Sequence, residues 1–266
     1  MLNGKDGPPL SLSEIFTLAV ALTQHSFAPQ MSRKNGGNAG SYFRTSRDYE
    51  PFRRARLMPV LLATSNEGKL KELSDMLGSS YLLLGLSDHQ STERIETGST
   101  YAENAVLKAR HFHERTGLPT IADDSGLEVR HLGGAPGVLS ARYAGPDADD
   151  AVRVAALLRE LVGVQWKDRR ARFVCAAALV WGESEFCFQG SVDGVVTTEP
   201  RGSGGFGYDP IFYYQPLEKT FAQMSISEKS QVSHRASAFR QLTAYLSESG
   251  LLDTMLRDDR ISHPKN

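Results

Sequence analysis

Apolar and polar positions fall into two regimes along this chain, divided near residue 58. Beyond that point, short apolar runs alternate with stretches of helical period. Residues 60–63 form an apolar run that predicts a short buried strand, stopping at Thr64-Ser65-Asn66. Leu70, Leu73, Met76 and Leu77 then recur at the spacing of one helix face. Thr100 stands three residues before Glu103, a capping-box signature, and the helix it opens lines Ala102, Ala105, Val106, Ala109 and Phe112 along one side. A second short buried strand is predicted over 119–122, ending in Asp123-Asp124-Ser125-Gly126. A third helix covers 149–161. Two strands, over 172–181 and 185–189, turn around Gly182-Glu183 as a hairpin, and Val195-Val196 continues the sheet. The glycine-rich stretch 202–209 suits no regular element, and a last helix runs from Ser233 to about Ser247. Alternating strands and helices with an antiparallel insert predict an α/β fold with a mixed sheet.

Before residue 58 that order is missing. Residues 10–22 suit one short amphipathic helix, but 32–57 carry seven Lys/Arg against two Asp/Glu with little apolar periodicity. Such a segment buries too little surface to offset its ordering entropy. Residues 1–57 are therefore expected to be a disordered basic tail, or an extension ahead of a start at Met58. The globular domain is expected over 58–251, with a C-terminal tail over 252–266.

Composition narrows the function. A net charge of −1 excludes a protein that coats nucleic acid through its overall field, so no stable nucleic-acid partner is expected. Cys175 and Cys187 are too few for a disulfide framework and lack metal-site spacing; both are read as reduced core residues of a cytoplasmic protein. No apolar run approaches the ~20 residues a membrane span needs. The stretch 15–22 is short and lacks a small-residue cleavage site, so no signal peptide is expected.

The polar clusters fall where the chain turns, the usual place for functional groups. Thr64, Ser65, Asn66, Glu67, Gly68 and Lys69 lie between a predicted strand and helix, where free amides and the helix dipole favour an anion and Lys69 adds a charge. Glu96, Asp123 and Asp124 offer oxygen ligands to a hard cation such as Mg²⁺. Neighbours on an extended chain point to opposite faces, so Asp123 and Asp124 should divide their roles: one for metal or water, one bracing the turn at Gly126. Lys108, on an otherwise apolar helix, can neutralise a phosphate. The loop containing Phe206, Gly207, Tyr208 and Asp209 lets backbone approach a ligand and offers aromatic surface for a base. Ser233 is a good N-cap, which puts His234 and Arg235 in a first helical turn, against the dipole. A ligand supplying the missing negative charge or acceptor would explain them.

Taken in order, the segments LLATSNEGKLKEL, ETGSTYAENAVLKAR, IADDSGLEV, LGGAPGVLSARYAG, GGFGYDPIF and EKSQVSHRASAF resemble the inosine triphosphate pyrophosphatase family, the non-standard purine nucleoside triphosphate pyrophosphatases. The resemblance spans about residues 59–246. It implies a long, curved mixed sheet flanked by helices, two lobes with a central cleft, and a homodimer. It further implies a Mg²⁺-dependent hydrolysis of ITP, dITP and XTP to the monophosphate and pyrophosphate, clearing the nucleotide pool. By the same resemblance the phosphate loop falls on Thr64 to Lys69, and Lys108 and Ser125 contact substrate. Glu96 and Asp124 form the metal site, with Asp124 also the proton acceptor. Phe206, Gly207, Tyr208, Asp209, Lys229, His234 and Arg235 form the base pocket. Ser65 replaces a frequent glycine, Ile95 replaces an acid before Glu96, and Val192-Asp193 replaces a Trp-Pro pair.

Overall fold

In a computed structural model, the described residues are 58–64, 66–77, 81–85 and 95–249. The expected tails over 1–57 and 252–266, and Ser65 of the phosphate loop, lie outside them. Seven strands form one open sheet: β1 (Met58–Leu62), β2 (Tyr81–Gly85), β3 (Thr120–Val129), β4 (Arg170–Trp181), β5 (Ser184–Val196), β6 (Phe212–Tyr214) and β7 (Lys219–Thr220), in the order β2-β1-β3-β4-β5-β6-β7. β1 pairs in parallel with β2 and β3; every later pair is antiparallel. The sheet is thus mixed, as expected.

Alternation along β1 explains the layering. Leu61 and Ala63 face α2 (Tyr101–Thr116), where Ala105, Ala109 and Phe112 meet Ala176 and Ala178. Val60 and Leu62 face the other way, onto α1 (Glu67–Leu77) and α5 (His234–Glu248) through Leu73, Leu77, Phe239 and Leu242. A third core gathers Leu127, Phe173, Val192, Phe212 and Phe221 with Val154 and Leu157 of α3 (Asp150–Glu160) at the far end of the sheet. That core makes a second lobe, and a cleft runs between it and the first. The Thr100–Glu103 capping box opens α2 as predicted. None of the described helices is long and apolar enough to cross a membrane.

Several boundaries differ from the sequence reading. β3 runs ten residues, so Asp123-Asp124-Ser125-Gly126 lies within a strand and not in the turn after one. A ten-residue ladder to β4 outweighs the local turn preference of that tetrapeptide. β5 extends through Val195-Val196 as one strand. Cys175 is buried in the core, but Cys187, expected beside it, is exposed; both are free thiols. The short helix α4 (Ile226–Val232), capped by a Ser225–Glu228 box, was not foreseen.

Candidate functional site

Three elements converge on the aspartates of β3. The first is the start of α1. Asn66 caps it, its Oδ1 accepting the Lys69 amide at 3.0 Å, while Thr64 Oγ1 accepts the Asn66 amide at 3.2 Å. Glu67 is exposed in the first turn. Lys69 reaches across to Asp123, at 3.1 Å from Oδ1 and 3.0 Å from Oδ2. Gly68 is required by a close approach: a Cβ there would stand 2.6 Å from the Phe206 ring.

The second element is α2. Lys108 donates to Glu96 Oε1 at 2.6 Å. One turn earlier, Asn104 accepts the Gly98 amide at 2.7 Å and donates to Asp124 Oδ2 at 3.0 Å. Asn104 therefore ties the Glu96 segment to Asp124. Sequence reasoning passed over it, although a completely buried Asn four residues before Lys108 shares its helix face.

The third is the α4–α5 junction. Ser233 caps α5 by accepting the Ala236 amide at 3.2 Å, which sets His234 and Arg235 in the first turn as predicted. Arg235 is 1% exposed and donates to Glu72 Oε2 at 2.6 Å, Asp123 Oδ2 at 3.2 Å and Ser125 Oγ at 3.0 Å. Negative charge beside Arg235 is supplied within the protein, by Glu72 and Asp123. Glu72 also takes Lys229 Nζ at 2.7 Å, and Lys229 bonds Asp209 Oδ2 in turn. Glu72 lies three residues beyond Lys69 on the same face of α1, a spacing that could have revealed it.

His234 behaves differently. Burial, reinforced by Arg235 and Lys229, holds its pKa well below 6.5, so the ring is neutral. It stacks on Phe173 at 4.6 Å, and its buried Nδ1 has no hydrogen-bond partner. An unpaired buried polar atom carries a desolvation cost that a ligand can relieve. Phe206 lies under Lys229 and Arg235, 4.8 and 5.4 Å from its centroid. Tyr208, by contrast, is buried with its hydroxyl given to the Ser140 carbonyl at 3.0 Å, and so serves as wall, not as stacking surface.

The adjacent aspartates separate as the pleat requires. Burial pushes the Asp123 carboxyl up, but Lys69, Arg235 and Lys108 outweigh it and hold it low. At Asp124, burial and then the Glu96 carboxylate raise the pKa, and the opposing Lys108, Asn104 and Lys69 do not cancel the rise. Burial also raises Glu96, yet Lys108 brings it below its ordinary value. Two acids thus share a space where a cation would relieve their repulsion. No group of three or more metal-ligating side chains occurs among the described residues. Two carboxylates completed by substrate phosphate is a donor set that suits Mg²⁺.

One cleft is lined by Asn66, Lys69, Glu96, Asp124 and Ser125 together with Phe206 to Asp209, Lys229, His234 and Arg235, the two groups meeting where Arg235 bonds Ser125. A larger hollow, about 970 Å³, lies between Arg170–Arg172 and Tyr214–Pro216. It contains none of the residues just described, so volume alone does not mark the chemistry.

A model of the Ham1 family matches residues 60–245. The dITP/XTP pyrophosphatase of Bacillus licheniformis is 48% identical over 193 residues, covering 71% of this chain and 98% of that protein. That of Thermus thermophilus is 48% identical over 190 residues, covering 70% and 91%. Among solved structures, a HAM1 protein from Coxiella burnetii superposes with a TM-score of 0.65 at 40% identity, over 72% of this chain and all of that one. The Staphylococcus aureus Ham1 protein gives 0.64 at 39% identity, over 72% and 99%.

Proposed function

The chain belongs to the Ham1 family, and from that premise we propose that it hydrolyses non-standard purine nucleoside triphosphates (ITP, dITP and XTP) to the monophosphate and pyrophosphate, removing them before incorporation into nucleic acid. The observation that carries this reading is one cleft that holds a buried Asp124, its pKa raised by burial and by the Glu96 carboxylate, together with Lys69 and a neutral His234 whose Nδ1 is unpaired.

In this reading the phosphates lie against the Thr64–Lys69 turn and Lys108, where amides and ammonium groups offset their charge. Asp124 accepts the proton of a water that attacks the α-phosphorus. A new oxygen–phosphorus bond forms, the bond to the α–β bridging oxygen breaks, and pyrophosphate leaves with that electron pair. Lys69 and Lys108 stabilise the leaving charge, the main protein contribution in phosphoryl chemistry. Glu96 and Asp124 would hold Mg²⁺, which when bound supplies Lewis acidity and lowers the pKa of water.

At the other end Phe206 offers a face to the base, while His234, Lys229 and Arg235 present polar groups to its edge. A site bonded to a 6-oxo purine rejects a 6-amino purine because buried partners would go unpaired, a discrimination of ~10⁴ or more. The homodimer and the cytoplasmic location belong to the same reading; the family resemblance supports the first and two free thiols the second.

The test is pyrophosphate release from ITP, XTP, dGTP and TTP, with Mg²⁺ or with EDTA. Metal-dependent release from ITP and XTP with little from dGTP or TTP is expected. Preference for TTP, or no release from any, would contradict the reading.

A further inference from the structure

The loop bearing Phe206 to Asp209 is anchored from two sides. On the inside, Asp209 Oδ2 accepts the Phe206 amide at 3.0 Å. On the outside, the Gly207 amide donates to Asp150 Oδ2 at 2.6 Å, across 57 residues of sequence. Asp150 opens α3 directly after its N-cap, Asp149. Its other oxygen is held by the guanidinium of Arg153, three residues along the same helix. That guanidinium also donates to the carbonyl of Ala141 at 3.0 Å and to that of Ala148. Both Asp150 and Arg153 line the cleft.

Tyr208 is held separately, by its hydroxyl on the Ser140 carbonyl, and Asp209 by Lys229; at Gly207 the hold is the amide given to Asp150. Gly207 sits at φ 62, and the space where its Cβ would stand is empty to 4 Å. With no side chain to pack and a backbone free to adopt many conformations, the position of Gly207 depends on this hydrogen bond. An amide given to a carboxylate is a charge-assisted bond, among the stronger kinds. A carboxylate fixed by a guanidinium that is itself tied to two carbonyls cannot easily rotate away.

We propose that Asp150 and Arg153 are positioning residues for base recognition, setting the Phe206–Asp209 loop against His234, Lys229 and Arg235. The proposal rests on the functional reading above and concerns the purine end of the same cleft. The pair bonds none of the groups assigned to the phosphate end, so its loss acts on affinity and selectivity while the chemical step at Asp124 proceeds.

The test is kcat and KM for ITP and GTP in the wild type, Asp150→Ala, Asp150→Asn and Arg153→Ala, with folding checked by circular dichroism. A wild type inert toward ITP would overturn the functional reading itself, whatever the variants do. Given activity, Asp150→Ala should raise KM for ITP about tenfold, keep kcat within about threefold, and lower the ITP-over-GTP ratio of kcat/KM about tenfold. Asp150→Asn keeps an oxygen for the Gly207 amide and should recover most of the loss; Arg153→Ala should fall between. Unchanged KM and selectivity in Asp150→Ala, a fall in kcat at constant KM, or no recovery in Asp150→Asn would overturn the proposal. If Asp150→Ala does not fold, Arg153→Ala decides: raised KM at kept kcat supports it, and unchanged KM overturns it.

Discussion

Asp123 and Asp124 are consecutive in β3, equally hidden at 1% and 6% exposure, yet they live in opposite surroundings. Asp123 faces Lys69 and Arg235, and through Arg235 joins a chain of ion pairs running by Glu72 and Lys229 to Asp209. Three cations meet three carboxylates there, and the charge is closed. Asp124 faces an asparagine and another carboxylate, with its pKa raised by burial and by that neighbour. One acid is satisfied by cations of the fold, while the other keeps a raised pKa beside a second carboxylate. The contrast shows that burial alone does not mark a reactive group; the sign of the surrounding charge decides.

Exchanging each acid for its amide breaks the contrast at its strongest point. Asp124→Asn should lower turnover on the order of 10⁴-fold, with a melting temperature close to that of the wild type, because it removes a repulsion with Glu96. Pyrophosphate release and a thermal melt check both halves. Asp123→Asn should instead destabilise by about 3–5 kcal/mol in urea unfolding, since it strips a buried carboxylate from Lys69 and Arg235. The wild type should approach that variant in acid: the depressed carboxyl stabilises above its ordinary value near 3.8, and the contribution is lost as pH falls through the folded value.

Glu72→Gln sharpens the picture within the closed network. It leaves Arg235 with Asp123 and Lys229 with Asp209, and should cost about 2 kcal/mol in the same unfolding assay. The smallest effect concerns His234. Its folded pKa lies below that of the unfolded chain, so the unfolded state binds the extra proton and stability falls as pH drops below about 6.5. A slope of about 1.4 kcal/mol per pH unit in that window, absent from His234→Phe, is expected from pH-dependent denaturation.

Much of this was legible in the chain. The alternation of apolar runs and helical faces gave the α/β class, and the Thr100–Glu103 and Ser233 caps placed two helix starts correctly. That Asp123 and Asp124 face different surroundings followed from the pleat, but the expected bracing of a turn at Gly126 did not hold, since Asp123 pairs with Lys69 and Arg235 within a continuous strand. Other features depend on contacts distant in sequence. β3 continues through Asp123-Asp124-Ser125-Gly126 because β4 pairs along its whole length, which local turn propensity cannot anticipate. Glu72 and Asn104 sat on the correct helix faces beside Lys69 and Lys108, but their partners lie on other elements. Arg235 had its counter-charges 112 and 163 residues away, at Asp123 and Glu72, so the dipole mismatch pointed to a ligand when the protein itself supplied the charge.

The most direct measurement is hydrolysis of ITP by the purified wild-type protein in ¹⁸O-labelled water, with both products analysed by mass spectrometry. Attack at the α-phosphorus predicts one labelled oxygen in the monophosphate and none in the pyrophosphate. Label in the pyrophosphate, or release of orthophosphate in its place, would contradict the account.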